Sequence, residues 1–370
     1  MRVGVDATSW NSRRGYGRFA RNAVRRLVAV DSETEYVLYA VDAVELPQGA
    51  TMRRVAASRR TPLGLMRLAA AASRDGLDAF LFPSVYTYFP VPRVPTVVGV
   101  HDVIARRHPE LTLPRWRDRF AWRLKERVAV RSAAAVFTVS EASRRELVRE
   151  LGVDGARVAI VPEAPDPAFE PRPQEAVASV LTELGIDPAE RLVVYAAGLS
   201  PHKNVETLLE AFASLDSNGS APSRLVLAGA LEDETFFSAV DSIRDRIDAL
   251  RLGQSVLLPG FVTDEQLACL YTGAAAAVVP SLAEGFGLPA VEAAACGAPL
   301  VLSELPAHRE TLGDAACYFA PRDVRGLRSA LELAFATPGL GERARLAVAD
   351  LSWDETARRL RDAVHRAAAR

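Results

Sequence analysis

The sequence predicts an α/β chain built on two doubly wound parallel sheets, and three observations carry that reading. Short runs rich in Val, Leu, Phe and Ala alternate with helical patterns, and parallel pairing needs the crossovers that such alternation supplies. The same rhythm runs through both halves of the chain. Between them a Pro-rich stretch, with Pro162, Pro165, Pro167, Pro171 and Pro173, interrupts any regular element. The 370 residues suffice for about two to three average domains. With 49% hydrophobic and 25% charged residues, the composition is that of an ordinary globular protein, which excludes disordered, collagenous and coiled-coil classes.

Taken in order, the strands expected in the first half are Arg2 to Asp6, Tyr36 to Val41, Ala79 to Phe82, Thr96 to His101, Ala134 to Val139 and Arg157 to Val161. Those of the second half are Leu192 to Ala197, Arg224 to Ala228, Ser255 to Leu258, Ala276 to Val279, Pro299 to Leu302 and Cys317 to Phe319. Helical patterns such as Val205 to Leu215 and Glu234 to Leu250 separate them. The final stretch, Trp353 to Arg370, reads as an amphipathic helix capped by Ser352, with Ala357, Leu360, Ala363 and Val364 on its apolar face. Ligands of open parallel sheets sit beyond the carboxyl ends of the strands, so function is expected in a cleft between the halves.

A cut near Pro165 exposes an asymmetry hidden in the net charge of -1. Up to that point 27 Lys+Arg face 17 Asp+Glu, a surplus of ten positive charges; beyond it 18 face 29, a surplus of eleven negative ones. Either the halves meet different partners, the basic one facing an anionic acceptor or membrane surface, or the split only tints two solvated surfaces. Only Lys125 and Lys203 are lysines. Cys269, Cys296 and Cys317 lack metal or redox spacing and read as small buried residues. The N-terminus lacks the build of a signal peptide, and no apolar run is long enough for a bilayer. A cytoplasmic location is expected.

Gly15, Gly17 and Ala20, with Asp42 further on, imitate a dinucleotide fingerprint. Eight residues separate Gly15 from the end of the first strand, however, whereas the fingerprint places its first glycine in the turn directly after the strand. What remains is a glycine-bearing loop before a helix, Gly15-Tyr16-Gly17-Arg18, able to bring backbone N–H groups to an anion.

The richest segment runs from Pro280 to Glu292, after an apolar strand. Gly285, Phe286, Gly287 and Leu288 precede Pro289 at a natural first helical position, so free N–H groups at that helix start form an anion site. Glu292, within the first turn or so, can accept two hydrogen bonds from a vicinal diol such as a ribose. Glu284, before the turn, can reach another part of the same ligand. Read alone, the pair is equally an acidic loop followed by a carboxylate that the helix dipole favours.

Glu284 and Glu292, enclosing seven residues with Gly-Phe-Gly-Leu-Pro inside, resemble the signature of the retaining glycosyltransferases of family 4, the glycosyl transferases group 1, and in particular bacterial mannosyltransferases. Pro201-His202-Lys203-Asn204, Leu227-Ala228-Gly229, Pro259-Gly260-Phe261-Val262, Cys296-Gly297-Ala298-Pro299, Gly313-Asp314-Ala315-Ala316 and Ser352-Trp353 resemble the family in order and spacing. In the first half so do Gly15-Tyr16-Gly17-Arg18, Gly99-Val100-His101-Asp102 and Thr138-Val139-Ser140-Glu141.

The resemblance implies a GT-B architecture, two Rossmann-like domains facing across a cleft. An acceptor domain would occupy 1–165, a nucleotide-sugar domain 166–350, and a C-terminal helix, 351–370, would return to the first domain. The implied reaction moves a hexosyl group, of mannose or glucose type, from a nucleoside-diphosphate sugar to a hydroxyl of a glycan, lipid-linked or small-molecule acceptor, with retention, without metal or resident cofactor and without nucleic acid. GDP- and UDP-sugars are the donors it implies first, and polysaccharide biosynthesis the setting. The alternatives are a noncatalytic nucleotide-sugar-binding partner of another transferase, or a GT-B epimerase or phosphorylase.

By the same resemblance, Lys203 would meet the leaving diphosphate, Glu284 the sugar ring and Glu292 the ribose. Phe261 and Val262 would line the base pocket, and His101 would stand near donor sugar and acceptor. Gly17 would approach the donor. Gly15, Tyr16, Arg18, Tyr86 and Tyr88 would face the acceptor, core packing being the other reading of the two later tyrosines. Gly198 stands where the family commonly carries a phosphate-binding arginine, which leaves the second cation unassigned. His108, His308 and His365 read as structural. Arg115 to Arg131, with Trp116, Phe120, Trp122 and Leu124 among seven basic and two acidic residues, reads either as a helix docking on an anionic membrane or as a solvated face over a core stripe.

Overall fold

The computed structural model describes residues 1–12, 14–55, 61–216, 223–229 and 239–369. They fall into two units, one of Met1–Arg106, Arg117–Glu163 and Leu351–Arg370, the other of Arg107–Trp116 and Ala164–Asp350.

In the first unit β1 (Arg2–Asp6), β2 (Glu35–Ala40), β3 (Ala50–Arg54), β4 (Ala79–Phe82), β5 (Thr96–Gly99), β6 (Ala135–Thr138) and β7 (Val158–Ile160) form one sheet in the order β3-β2-β1-β4-β5-β6-β7. Every neighbouring pair is parallel. The second unit holds β8 (Arg191–Ala196), β9 (Ser223–Ala228), β10 (Val256–Gly260), β11 (Ala276–Val279), β12 (Leu300–Ser303) and β13 (Cys317–Phe319), in the order β10-β9-β8-β11-β12-β13, again all parallel. The fold class is therefore the one expected: two Rossmann-like parallel sheets with alternating helices. Each anticipated strand lies within two residues of its place. β3 was not anticipated, because its Thr51, Met52, Arg53 and Arg54 are exposed on a sheet edge and carry no apolar run.

The central strands β1, β4, β8 and β11 are buried nearly throughout, as parallel strands covered on both faces must be. Cys269, Cys296 and Cys317 are free thiols in the interior. The helix expected over Glu234 to Leu250 is observed as Val240–Ala249; residues 230–238 lie outside the described residues, as does Arg370.

Gly15-Tyr16-Gly17-Arg18 departs from expectation. These residues are the first turn of the helix Gly15–Val30 rather than a loop before it. The N–H groups of Gly17 and Arg18 already bond the Arg14 carbonyl, which leaves those of Gly15 and Tyr16 ahead of the first helical bonds. A Cβ on Gly17 would lie 2.4 Å from the Ser12 carbonyl oxygen, so the incoming turn demands glycine there.

The C-terminal helix, Trp353–Ala368, is capped as its sequence suggests, the Ser352 hydroxyl accepting the Glu355 N–H at 3.2 Å. Asp354 and Glu355 sit in its first turn and His365 and Arg366 in its last, the arrangement the helix dipole favours. Its buried side, Trp353, Ala357, Leu360, Ala363 and Val364, packs on the helix Gly15–Val30 and across β4 to β7. Burying one such leucine contributes about 1.5–3 kcal/mol. Thr356 donates to the Pro162 carbonyl at 2.7 Å, and His365 meets Asp31 at 2.8 Å.

Candidate active site

In the second unit the sheet order reverses between β8 and β11, the crevice where open α/β sheets take ligands. After β8 the chain makes a short 3-10 turn, Pro201–Lys203, which Asn204 ends with a left-handed φ of 57°. After β11 it runs through Pro280 to Gly287 and enters the helix Leu288–Ala295. Short polar bonds join the two segments. Asn204 donates to the Pro280 carbonyl at 2.9 Å, and the Leu282 N–H to the His202 carbonyl at 2.9 Å.

Lys203 Nζ lies 2.7 Å from Glu284 Oε1, the oxygen that also accepts the Ser281 hydroxyl at 2.6 Å. Burial works against a charged Glu284, but the Lys203 ammonium and these two hydrogen bonds, with His308 adding to their pull where it is protonated, outweigh it and hold the carboxyl down at about 2. Two residues expected to serve one ligand, 81 positions apart, are thus brought into contact.

Gly287, with φ 93°, starts the helix without any side-chain cap; the Ala290 and Val291 N–H groups bond its carbonyl and Pro289 has none, which leaves the N–H groups of Gly287 and Leu288 ahead of the first helical bonds, where an anion is favoured. Phe286 and Leu288 are buried beside it. Glu292 is buried at 5% exposure. It is the fifth residue of the helix, just past its first turn. At the end of β10, Val262 is buried and Phe261 is half exposed. A Cβ on Gly198 would meet nothing within 4 Å.

In the first unit His101, 8% exposed, places Nε2 2.9 Å from the Pro83 carbonyl oxygen and Nδ1 3.3 Å from Glu163 Oε1. The Pro83 carbonyl can only accept, so Nε2 carries a proton, and the Glu163 carboxylate favours a second one on Nδ1. Burial disfavours that charge, yet Glu163 and the Pro83 carbonyl raise the pKa above the ordinary value. The ring nitrogens are engaged by protein groups, and Phe19 meets the ring edge-on at 4.6 Å.

Of the residues expected to face an acceptor, Tyr16 and Tyr86 come together, their ring centroids 5.2 Å apart, and Trp122 extends the stack at 4.9 Å from Tyr86. Lys125 Nζ donates to the Tyr86 carbonyl at 2.7 Å, and burial pushes its ammonium down to about 8 against the pull of Asp6. Asp6, fully buried at the end of β1, has its carboxyl raised by burial. Tyr88 does not join this stack. It lies in the core against Phe82 at 5.0 Å, its hydroxyl paired with Ser132, because its ring has more apolar surface to bury there.

Sequence reasoning gave no site role to Asp6, Trp122, Lys125, Glu163, Ser281 or His308; of these, Trp122 stood out only as part of the Arg115 to Arg131 stripe, Lys125 only as one of two lysines, and His308 was read as structural. Among the described residues, no three His, Cys, Asp or Glu side chains gather as a metal site.

Two parallel-sheet units, with a cation, an uncapped helix start and a buried carboxylate at one switch point, form the architecture in which α/β enzymes take phosphate-bearing ligands. Comparison with known proteins agrees with that class. Residues 12–169 match the model of glycosyltransferase family 4, and residues 181–348 match that of glycosyl transferases group 1. The chain is 29% identical over 330 residues to an O-antigen chain mannosyltransferase B of Escherichia coli, covering 84% of each chain. It is 28% identical over 314 residues to the serotype-specific mannosyltransferase WbdA of Escherichia coli, across 78% of this chain but only 37% of that relative's length. The crystal structure of Anabaena HepE with UDP-glucose superimposes with a TM-score of 0.76 at 18% identity, over 98% of each chain. The chain belongs to the family 4, group 1 glycosyltransferases, and its two sheets are the two halves of the GT-B fold.

Proposed function

We propose that this glycosyltransferase moves a hexosyl group, mannosyl before glucosyl, from a nucleoside-diphosphate sugar to a hydroxyl of a glycan acceptor, with retention of anomeric configuration. The observation that carries the reading is the Lys203–Glu284 pair beside the uncapped start of the helix Leu288–Ala295. The similarity to two Escherichia coli mannosyltransferases supports the sugar and a polysaccharide setting. The nucleotide-sugar complex of the Anabaena structure supports the donor class.

In this reading the diphosphate sits against Lys203 and the N–H groups of Gly285 to Leu288, where preorganised positive charge stabilises the leaving group as the C1–O bond breaks. Glu284 contacts the sugar, Glu292 the ribose, and Phe261 and Val262 the base. The acceptor lies with the first unit, near Gly15, Tyr16, Arg18 and Tyr86. His101 contributes fixed charge rather than proton transfer, since both its nitrogens are engaged. A carboxyl held at about 2 is a poor base and is tied to Lys203 and Ser281. The acceptor oxygen therefore bonds C1 on the face the phosphate leaves, and its proton passes to the departing phosphate oxygen.

No helix among the described residues is long and apolar enough to cross a membrane. On the helix Trp116–Ser132, Trp116, Phe120 and Leu124 are exposed at 71%, 66% and 52%, spaced along one face among arginines. That face supports peripheral contact with an anionic membrane from the cytoplasmic side, and co-sedimentation with phosphatidylglycerol vesicles that vanishes in neutral ones tests it.

The donor reading is tested by thermal unfolding with UDP-, GDP-, ADP- and dTDP-sugars. A ligand at 100 times its Kd stabilises by about 2.7 kcal/mol, worth a few degrees in Tm. One nucleotide series should shift the wild type and not Glu292→Ala, and the product's anomeric coupling by NMR should match the donor's. A shift with none of the four series, or an inverted product, refutes the reading.

A further inference from the structure

His308 lies on the helix Pro306–Leu312 and is fully buried. Its Nδ1 is 2.9 Å from the Ser303 carbonyl oxygen, which can only accept, so Nδ1 carries the proton. Nε2 is buried with no hydrogen-bond partner. The ring is wedged under the loop that starts the donor helix: a Cβ on Gly287 would lie 2.8 Å from His308 Cδ2 and 3.1 Å from Nε2. An unpaired lone pair therefore lies directly beneath the residue whose neighbours offer N–H groups to an anion.

The charges around the ring are balanced. Burial holds it in the neutral form, below the ordinary histidine value; Glu284 and Glu304 favour the cation, and Lys203 opposes it. Lys203 is already paired with Glu284, and Glu304 with Arg309 at 2.6 Å. Gly198 supplies no side chain. A diphosphate arriving here brings at least two negative charges to a site whose one nearby ammonium is committed to a carboxylate.

We propose that His308 is a positioning residue for the leaving group: its neutral ring seats Gly287 while the site is empty, and Nε2 takes one proton when a nucleoside diphosphate binds at the head of the helix Leu288–Ala295. The inference rests on the donor reading above. A new N–H bond forms at Nε2, and solvent supplies the proton. The imidazolium then donates from both nitrogens and provides, from below the loop, the second cation that Gly198 does not. When the diphosphate leaves, the ring returns its proton.

The experiment is isothermal titration calorimetry of the whole chain with UDP, GDP, ADP and dTDP at pH 7, in buffers of different ionisation enthalpy, together with NMR of histidine-labelled protein. The diphosphate that binds should draw up between about 0.3 and 1 proton. Of the five histidines, one should pass from the Nδ1–H tautomer to the imidazolium on saturation. In His308→Asn, whose amide retains a donor toward the Ser303 carbonyl, the uptake should vanish, and affinity should fall roughly tenfold below pH 7, the effect of about one unit of pKa, with the gap closing above pH 8. Binding without proton uptake, or uptake undiminished in His308→Asn, overturns the inference and leaves the donor site standing. The NMR measurement on the wild type decides the matter even where the variant is unstable. If none of the four diphosphates binds, the donor reading fails and this inference with it.

Discussion

His101 Nδ1 stands 3.3 Å from Glu163 Oε1 while its Nε2 stands 2.9 Å from the Pro83 carbonyl oxygen, so the buried ring is bracketed between a carboxylate and a backbone acceptor that both favour its protonated form. Its pKa is raised in the folded chain, so its contribution to stability is complete below the unfolded value of about 6.5 and is lost as pH rises through the folded value. Glu163→Gln should destabilise the first unit by about 1–3 kcal/mol near pH 6, and the difference from wild type should close as the medium becomes alkaline. Urea unfolding from pH 5 to 9 measures this. A difference that does not change with pH would show that Glu163 acts by packing alone.

Lys203 and Glu284 combine structure with chemistry, and the two roles are separable. Lys203→Met should cost about 3–5 kcal/mol by stranding a buried carboxylate. Adding Glu284→Gln should recover most of that stability, while transfer activity stays depressed on the order of a hundredfold or more. Because the Glu284 carboxyl is depressed to about 2, its contribution is present above the unfolded value of about 4.3 and fades as pH falls toward 2. Acid unfolding of wild type and Glu284→Gln should therefore converge below pH 4. A double variant with restored activity would remove Lys203 from the chemistry.

Gly287→Ala meets two obstacles, a left-handed φ of 93° and the His308 ring 2.8 Å from the new Cβ. We expect about 1–3 kcal/mol of lost stability and weaker diphosphate binding. Replacing His308 with Ala in the same chain should relieve the contact but not the backbone strain, so only part of the loss returns; chemical denaturation of the four chains resolves the shares.

Gly198→Arg is the opposite case, since space is open around its Cβ. The substitution should leave stability within about 0.5 kcal/mol and tighten diphosphate binding roughly tenfold through a charge-assisted contact. Calorimetric titration checks it; unchanged affinity would place the phosphates away from Gly198.

Leu360→Ala, in the fully buried face of the C-terminal helix, should cost about 2–5 kcal/mol and lower the thermal midpoint of the first unit. A substitution at Arg366 on the exposed side should not.

The loop from β11 into the helix Leu288–Ala295 was legible because its pattern is local: strand, glycines, proline and helix start lie within seventeen residues, from Ala276 to Glu292, and each has a steric or capping reason for its place. The strands were legible wherever both faces are covered, since burial writes an apolar run into the sequence, and β3 was missed for the converse reason. Contacts assembled by the fold from distant positions were not legible. Glu163 is one acid in a Pro-rich stretch until the chain brings it beside His101, 62 positions earlier, and His308 is one ring until Gly287 rests on it. The helix Trp116–Ser132 divides the same way. Its exposed Trp116, Phe120 and Leu124 were recognisable as a stripe, whereas the fully buried Glu126, paired with Arg106 at 3.1 Å, was not.

The C-terminal helix also sets an order of assembly. The first unit begins at Met1 but needs Trp353, Leu360 and Val364 to cover its helix Gly15–Val30, and those residues follow the whole of the second unit in the chain. As the polypeptide emerges, the unit begun first must wait with an uncovered apolar surface while its successor, nearly continuous from Ala164 to Asp350, is completed. A chain broken off before Trp353 would carry every residue of the second unit and lack the cover of the first.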